Sequence, residues 1–562
     1  MASWRSAIDL LPGSVTVASN PGDNLGIKKV LSGIMGHLEI CESRHFNPGL
    51  AGLQTLKQAR AGEQGMSNFF AELETGFEAS ADQLALILSG QNDWTYAALL
   101  QQINRAAAQL VAFGVNPGDR VLVQVPKSPE NLALYLACLK LGLVYVPLNT
   151  GYTAAELDYF VSDAEPVLYV GEQHRSDVVS ATLQPRDAQR LLVFSNGEGS
   201  EIDAVVPPTV ARSTDDLAAI LYTSGTTGRS KGAMLSHGNL ASNAHALSEE
   251  WGWQPSDVLL NALPIFHVHG LFIASHCALL NATPMIFLEK FDAGGVMARL
   301  PDATVMMGVP TFYTRLLDQS ELTPASVAHM RVFICGSAPL TEQTFSEWEQ
   351  RTGHRILERY GMSETIINTS NPLQGERVAG TVGFALPGQQ VRVTSEDGVV
   401  VPAGEVGMIE VAGPNVFQGY WRMPEKTAEE IRPDGFFITG DLGVQAADGR
   451  LSIVGRSKDL VISGGYNVYP KEVEVALDKM PQVAESAVIG VPHPDFGEAV
   501  VAVVVPAGGE VTQADVDAAL GDQLARFKQP KRVLNVTELP RNTMGKVQKN
   551  LLRDQHGDLF AS

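Results

Sequence analysis

Hydrophobic and polar positions fall into three textures along the chain. Over residues 95–335, short apolar runs of the kind that fill buried strands alternate with helix-period segments. The pattern predicts a helix over 95–107, a strand over 120–125, a helix over 129–141 and a strand over 144–148. A strand, helix, strand order implies parallel pairing, since the crossover returns the chain to the same end of the sheet. Further strands are expected at 166–170, 191–194, 217–222, 258–263, 284–288, 304–308 and 332–335, with a helix near 239–250. Together they predict a large, layered α/β body built from two similar halves.

After residue 380 the pattern changes to short, glycine-punctuated β segments such as 390–393 and 407–411, which predict a small, barrel-like β subdomain. The charged run Gly455-Arg456-Ser457-Lys458-Asp459 marks a second change, and beyond it a helix over 470–478 and strands over 484–491 and 499–505 predict a small α+β domain on a hinge. The expected division is a leader over 1–65, a large domain over 66–457 and a small mobile domain over 458–562. The leader is glycine-rich and weakly patterned, so it is expected to be disordered or dispensable. Its cations, interrupted by Asp9, Asp23, Glu39 and Glu42, only half fit a transit peptide. The expected compartment is the cytoplasm, and the leader keeps organellar import open.

Bulk composition narrows the function. Forty-one Lys and Arg against 62 Asp and Glu give a formal charge of -21, which repels a nucleic-acid backbone and excludes it as a partner. The four cysteines, Cys41, Cys138, Cys277 and Cys335, form no CxxC pair and read as reduced core thiols, without a disulfide framework or structural zinc. The apolar stretch 132–148 contains Lys140 and Pro147 and reads as core, so no stable membrane insertion is expected.

Candidate chemistry begins at the run Tyr222-Thr223-Ser224-Gly225-Thr226-Thr227-Gly228-Arg229-Ser230-Lys231-Gly232. Its glycines admit close approach to the backbone N–H groups, its hydroxyls add donors and Lys231 adds charge, all of which suit a polyphosphate. Following an apolar strand, the run should project into a cleft where α/β folds bind ligands. It is not a Walker sequence, because Ser230 stands where that pattern needs glycine and Gly232 follows the lysine. Glu358-Arg359-Tyr360-Gly361-Met362-Ser363-Glu364-Thr365 supplies a carboxylate, and a carboxylate beside a triphosphate implies an intervening divalent cation, Mg²⁺. Asp441 in Thr439-Gly440-Asp441 is suited to accept ribose hydroxyls. Lys546 in Pro540-Arg541-Asn542-Thr543-Met544-Gly545-Lys546 can neutralise charge at a reacting phosphorus.

Six ordered motifs, YTSGTTGRSKG, ERYGMSET, TGD, GRSKD, SGGYNVYP and PRNTMGK, together resemble the adenylate-forming acyl-CoA synthetase superfamily over residues 70–552. The resemblance implies ATP, Mg²⁺ and coenzyme A, and an enzyme that is a monomer or homodimer. By the same resemblance, Thr223, Ser224, Gly225, Thr226, Thr227, Gly228 and Lys231 would wrap the β and γ phosphates, and Glu364 and Thr223 would hold Mg²⁺. Gly336, Ser337 and Ala338 would face the adenine and acyl groups, with Tyr360, Gly361, Met362 and Thr365 opposite. Asp441 would bind ribose, assisted by Arg456. Lys546 would be the adenylation lysine, Lys458 the hinge, and Gly464, Gly465 and Tyr466 would line the thiol's approach.

The block 263–271, the segments 289–292 and 308–313 and the run Asn368-Thr369-Ser370-Asn371-Pro372 resemble malonyl-CoA synthetases. The implied reaction ligates malonate, with methylmalonate as a second acid, to coenzyme A through an acyl-adenylate. The alternatives are a ligase for another short- or medium-chain acid, and a nonenzymatic nucleotide-binding module. A dicarboxylate leaves one carboxylate in the acyl pocket, and leaving it unpaired would cost about 3 to 5 kcal/mol. Arg299 is the expected partner, with Arg315 and Arg331 in reserve, and His267 is the expected gate of the pocket.

Overall fold

The computed structural model describes strands Ile27–Ser32, His37–Glu42 and Arg190–Val193 and residues 68–171, 206–223, 230–542 and 545–560. The run from Ser224 to Arg229 in the phosphate loop, and Thr543 and Met544, lie outside the described residues. Within the leader, Ile27–Ser32 and His37–Glu42 pair antiparallel as a two-stranded sheet.

Two large sheets carry the body. The six-stranded sheet runs in the order Lys231–Ser236, Leu217–Thr223, Val144–Pro147, Arg120–Gln124, Leu168–Gly171, Arg190–Val193. All its neighbours are parallel except the first pair. The edge strand Lys231–Ser236 falls where the sequence pattern predicts only the approach to a helix. It pairs antiparallel with Leu217–Thr223 and sets Lys231 opposite Thr223. The nine-stranded sheet has a parallel centre containing Leu259–Asn261, Val305–Gly308, Val332–Cys335 and Leu357–Tyr360.

The helix Pro129–Lys140 is buried along nearly its whole surface, as expected of a helix apolar on every face. Ser128 caps it and Pro129 opens it, which fixes its start. The apolar stretch 132–148 is thus split between this helix and the strand Val144–Pro147. Among the described residues no helix is long and apolar enough to cross a membrane. Cys138, Cys277 and Cys335 are buried free thiols, and Cys41 lies outside the residues whose side chains are described.

Strands Gln390–Thr394, Val406–Ala412, Phe437–Gln445 and Leu451–Arg456 form an open four-stranded antiparallel sheet. The barrel-like expectation is corrected: these strands make a ladder whose two outer members do not pair with each other. The C-terminal sheet is built on the hairpin Val483–His493 and Gly497–Pro506, with Arg532–Asn535 added in parallel. Its core is separate from that of the body, since Val461, Val473, Leu477, Val488 and Val500 pack among themselves.

Candidate active site

Several C-terminal strand ends of the nine-stranded sheet open on one cleft, the position where parallel sheets present ligand-binding loops. Gly336 and Ser337 follow Val332–Cys335, and Gly361 follows Leu357–Tyr360. Both glycines are required by close approach. A Cβ on Gly336 would lie 2.3 Å from Arg359 Nη1, and one on Gly361 would lie 1.9 Å from the Ile366 carbonyl oxygen. Ser337 holds a left-handed φ of 73°, and its hydroxyl lies 3.1 Å from His269 Nδ1. A non-glycine residue in that region is strained and needs its surroundings to hold it.

The strand Leu357–Tyr360 sends successive side chains to opposite faces. Tyr360 donates its hydroxyl to Asp441 Oδ2 at 2.6 Å, while Arg456 Nε meets Asp441 Oδ1 at 2.6 Å. Asp441 and Arg456 are register partners on adjacent strands, so the sheet itself sets this pair. Burial opposes the charge on Arg456, but the field of Asp441 outweighs it and holds the guanidinium above its ordinary range.

Glu364 is buried, and burial raises its carboxyl above the ordinary range, with the Tyr420 hydroxyl, Lys231 and Arg456 acting the other way. Tyr420 lies 3.1 Å from Glu364 Oε1 and 2.7 Å from Glu430 Oε2. Lys231 pairs with Glu430 Oε1 at 3.1 Å and sits 4.0 Å above the Tyr420 ring. The phosphate-loop lysine and the carboxylate of the ERYGMSET block thus belong to one connected network. Next to them, the Thr365 hydroxyl is buried without a partner.

On the other face Arg359 is 5% exposed, and its Nε and Nη2 have no hydrogen-bond partner. No carboxylate among the described residues pairs with it. Burial lowers its pKa to about 10. His269 is fully buried with Nε2 unpartnered, and burial, then Arg359 and His267, hold its pKa far below the ordinary imidazole value. His267 is brought to about 4 by burial, then by Arg359 and Lys546, so it is neutral at pH 7. Buried nitrogens are therefore concentrated around Arg359, and no anion among the described residues meets them.

The C-terminal domain contributes Lys546. A Cβ added to the adjacent Gly545 would lie 3.3 Å from Thr311 Oγ1, which puts the loop against the body. Lys546 is solvent-exposed yet crowded, as in a wet cleft, and its amine is lowered to about 8 by desolvation, then by Arg456. Lys458 stands at the junction on the one-turn helix Ser457–Asp459, and desolvation, then Arg456 among nearby cations, lowers its pKa. Gly464 and Gly465 turn a short hairpin on the small domain, where the exposed Tyr466 stacks on Phe527 at 4.7 Å.

The fold therefore brings Thr223, Lys231, Gly336, Tyr360, Gly361, Glu364, Asp441, Arg456, His267 and Lys546 into one neighbourhood through shared contacts and fields. Arg299 behaves differently. It ends the helix Ala293–Arg299, pairs with Asp302 at 3.5 Å and is about a third exposed, at 32%. Sequence reasoning missed Arg359, Tyr420, Glu430 and His269 as site residues. Arg359 stood inside the quoted ERYG run, but the neighbouring Glu358 gave it an apparent partner in the sequence.

A buried carboxylate held by a tyrosine and an arginine, with a lysine of the second domain close by, suits an enzyme that activates a substrate with a nucleotide. The chain belongs to the AMP-binding enzyme family, whose model matches residues 73–421, and the family's C-terminal domain matches residues 472–546. It is an AMP-forming CoA ligase that uses ATP and coenzyme A. A feruloyl-CoA synthase from Amycolatopsis sp is 37% identical over 82% of this chain and 94% of its own. A malonate–CoA ligase from Arabidopsis thaliana is 34% identical over 78% of each chain. The crystal structure of ATP-bound MatB from Rhodopseudomonas palustris superposes with a TM-score of 0.84 at 54% identity, covering 88% of this chain and 99% of that one.

Proposed function

We propose that the protein ligates malonate, with methylmalonate as a second acid, to coenzyme A through an acyl-adenylate. The observation that carries this reading is Arg359, a buried guanidinium with two unpartnered nitrogens beside Gly336, His267 and His269. A monocarboxylic acid would leave that charge unmatched once its reacting carboxylate had turned to the nucleotide. A dicarboxylate brings a second anion to pair with it, and a planar guanidinium suits a carboxylate by two parallel hydrogen bonds. The likeness to a malonate–CoA ligase and to MatB supports the same substrate, whereas a feruloyl-CoA synthase matches the chain about as well as the malonate–CoA ligase does. Arg359 replaces Arg299 as the proposed partner, because Arg299 already has Asp302.

In the first half-reaction one malonate oxygen attacks the α-phosphorus and the bond to pyrophosphate breaks, leaving a mixed anhydride with AMP. Lys546 would offset charge building between attacking and leaving oxygens, Asp441 would hold the ribose, and Lys231 with Thr223 to Gly228 would hold the departing phosphates. Mg²⁺ would supply further charge neutralisation there. Glu364 and Thr223 fit such an ion when it arrives with the nucleotide's own oxygens, since magnesium needs few protein carboxylates. No cluster of three or more His, Cys, Asp or Glu among the described residues makes a cage of its own. In the second half-reaction the thiol sulfur attacks the acyl carbon and the bond to AMP breaks. The small domain would turn about Lys458 between the two steps, withdrawing Lys546 and bringing Gly464, Gly465 and Tyr466 to the thiol's path.

The test is coenzyme A dependent AMP formation with malonate, methylmalonate, succinate, acetate, hexanoate and ferulate. Malonate is expected to give the highest kcat/KM, and Arg359→Ala is expected to lower it by ~100-fold while sparing acetate. A preference for ferulate or hexanoate in the native enzyme, or an unchanged malonate-to-acetate ratio in the variant, would refute the assignment.

A further inference from the structure

The helix Pro424–Glu430 touches the site from outside every motif considered so far. Its last residue, Glu430, has both oxygens engaged: Oε1 with Lys231 Nζ at 3.1 Å and with Lys426 Nζ at 3.1 Å, and Oε2 with the Tyr420 hydroxyl at 2.7 Å. That same hydroxyl lies 3.1 Å from Glu364 Oε1. The helix is tied to the loop that carries Tyr420, since Thr427 Oγ1 accepts from the Tyr420 amide at 2.9 Å and donates to the Met423 carbonyl at 2.9 Å. Lys231 is 14% exposed and Glu430 20%, so the pair is shielded from free water.

A lysine ammonium is a point charge on a flexible stem, and four torsions separate it from the backbone. A phosphate-binding lysine left free would have to be ordered at each turnover. We propose that Glu430 is a positioning residue for nucleotide binding, which holds Lys231 over the Tyr420 ring and, through the single Tyr420 hydroxyl, sets Lys231 and Glu364 at a fixed separation. The ammonium carries three donors. One goes to Glu430 and one edge faces the ring, which leaves a donor for a phosphate oxygen without breaking the pair. Glu430 touches no substrate in this scheme; it acts through Lys231 and Tyr420.

The inference rests on the reading of Lys231 as a phosphate ligand, and a double-mutant cycle separates the two. ATP–pyrophosphate exchange is measured with Lys231→Met, Glu430→Ala and the double variant, at varied ATP and Mg²⁺. Lys231→Met is expected to raise the KM for ATP about tenfold or more. Glu430→Ala should raise the KM for ATP and the half-saturating Mg²⁺ about tenfold, with little change in the KM for the acid. It should add less than twofold in the Lys231→Met background, because the two residues act as one unit. Glu430→Gln keeps the shape of the Tyr420 contact and carries the test where the alanine variant folds poorly, and Glu430→Asp should recover part of the loss. If Lys231→Met leaves the KM for ATP unchanged, the phosphate role of Lys231 fails. If Lys231→Met behaves as expected but the Glu430 variants leave the KM for ATP alone, raise it equally in both backgrounds, or raise the KM for the acid as much, the positioning role is overturned.

Discussion

Arg359 and Tyr360 are neighbours on one strand, yet they face two kinds of surface. On the Tyr360 side every charged group has an opposite charge or a hydroxyl beside it: Tyr360 with Asp441, Asp441 with Arg456, Tyr420 with Glu364 and Glu430, and Glu430 with Lys231. On the Arg359 side Nε and Nη2 of the arginine and Nε2 of His269 are buried without partners. A nucleotide carries its own donors, acceptors and cation, so its side of the cleft can be prebuilt as a charge-balanced scaffold. The Arg359 side, the proposed acyl side, holds donors short of an anion, and an uncompensated buried cation is a demand for one. The difference teaches where to look for substrate identity: in the polar groups the protein leaves unpaired.

Lys546 tests whether the two sides meet, since its charge is felt by His267 on one and by Asp441 on the other. Lys546→Ala is expected to lower malonate-dependent ATP–pyrophosphate exchange at least ~100-fold while largely sparing conversion of supplied malonyl-AMP to malonyl-CoA. Equal loss of both half-reactions would break the comparison. The sign of the pH dependence follows from the lowered pKa. The free-enzyme lysine is a cation below about 8 and neutral above it, so kcat/KM for adenylation should fall as pH rises through about 8. Lys546→Arg should remove that limb.

A third residue of the same strand sharpens the contrast at intermediate cost. Glu358 is buried, and burial raises its carboxyl to about 8, with the amides of Gly380 and Leu340 and the ammonium of Lys471 on the small domain acting the other way. A raised folded-state pKa means that the folded protein binds the extra proton. Its stabilising contribution is complete below the ordinary carboxyl range and is lost as pH rises through about 8. Glu358→Gln should flatten the fall in stability between those limits, by on the order of a few kcal/mol in urea titrations at pH 5 and pH 8. An unchanged slope would mean that Glu358 is paired and ionised in solution.

The smallest effect is expected at Arg299. A partly exposed ion pair contributes about 0 to 1 kcal/mol, so Arg299→Ala should leave the malonate-to-acetate preference within about twofold. A large loss of malonate use would move the second-carboxylate site to Arg299 and away from Arg359.

Much of this was legible in the chain alone. Continuous apolar runs announced the parallel strands, since such strands are buried on both faces. The strand Lys231–Ser236 was harder, because Lys231 and Gly232 interrupt its apolar run and a capping box at Ser236 signals the helix that follows.

What sequence by itself determined was the class of enzyme, because the family's signatures are short local motifs that can be read without the fold. What only the tertiary structure decided was which arginine lacks an anion and which carboxylate steadies Lys231. Arg299 and Arg359 are the same side chain as text. They differ because Asp302 lies within reach of one, while the other is buried against Gly336 with no carboxylate among the described residues to pair with it. Charge pairing is a property of neighbours in space, so residues as distant in sequence as Lys231 and Glu430 become partners only after the sheets have packed.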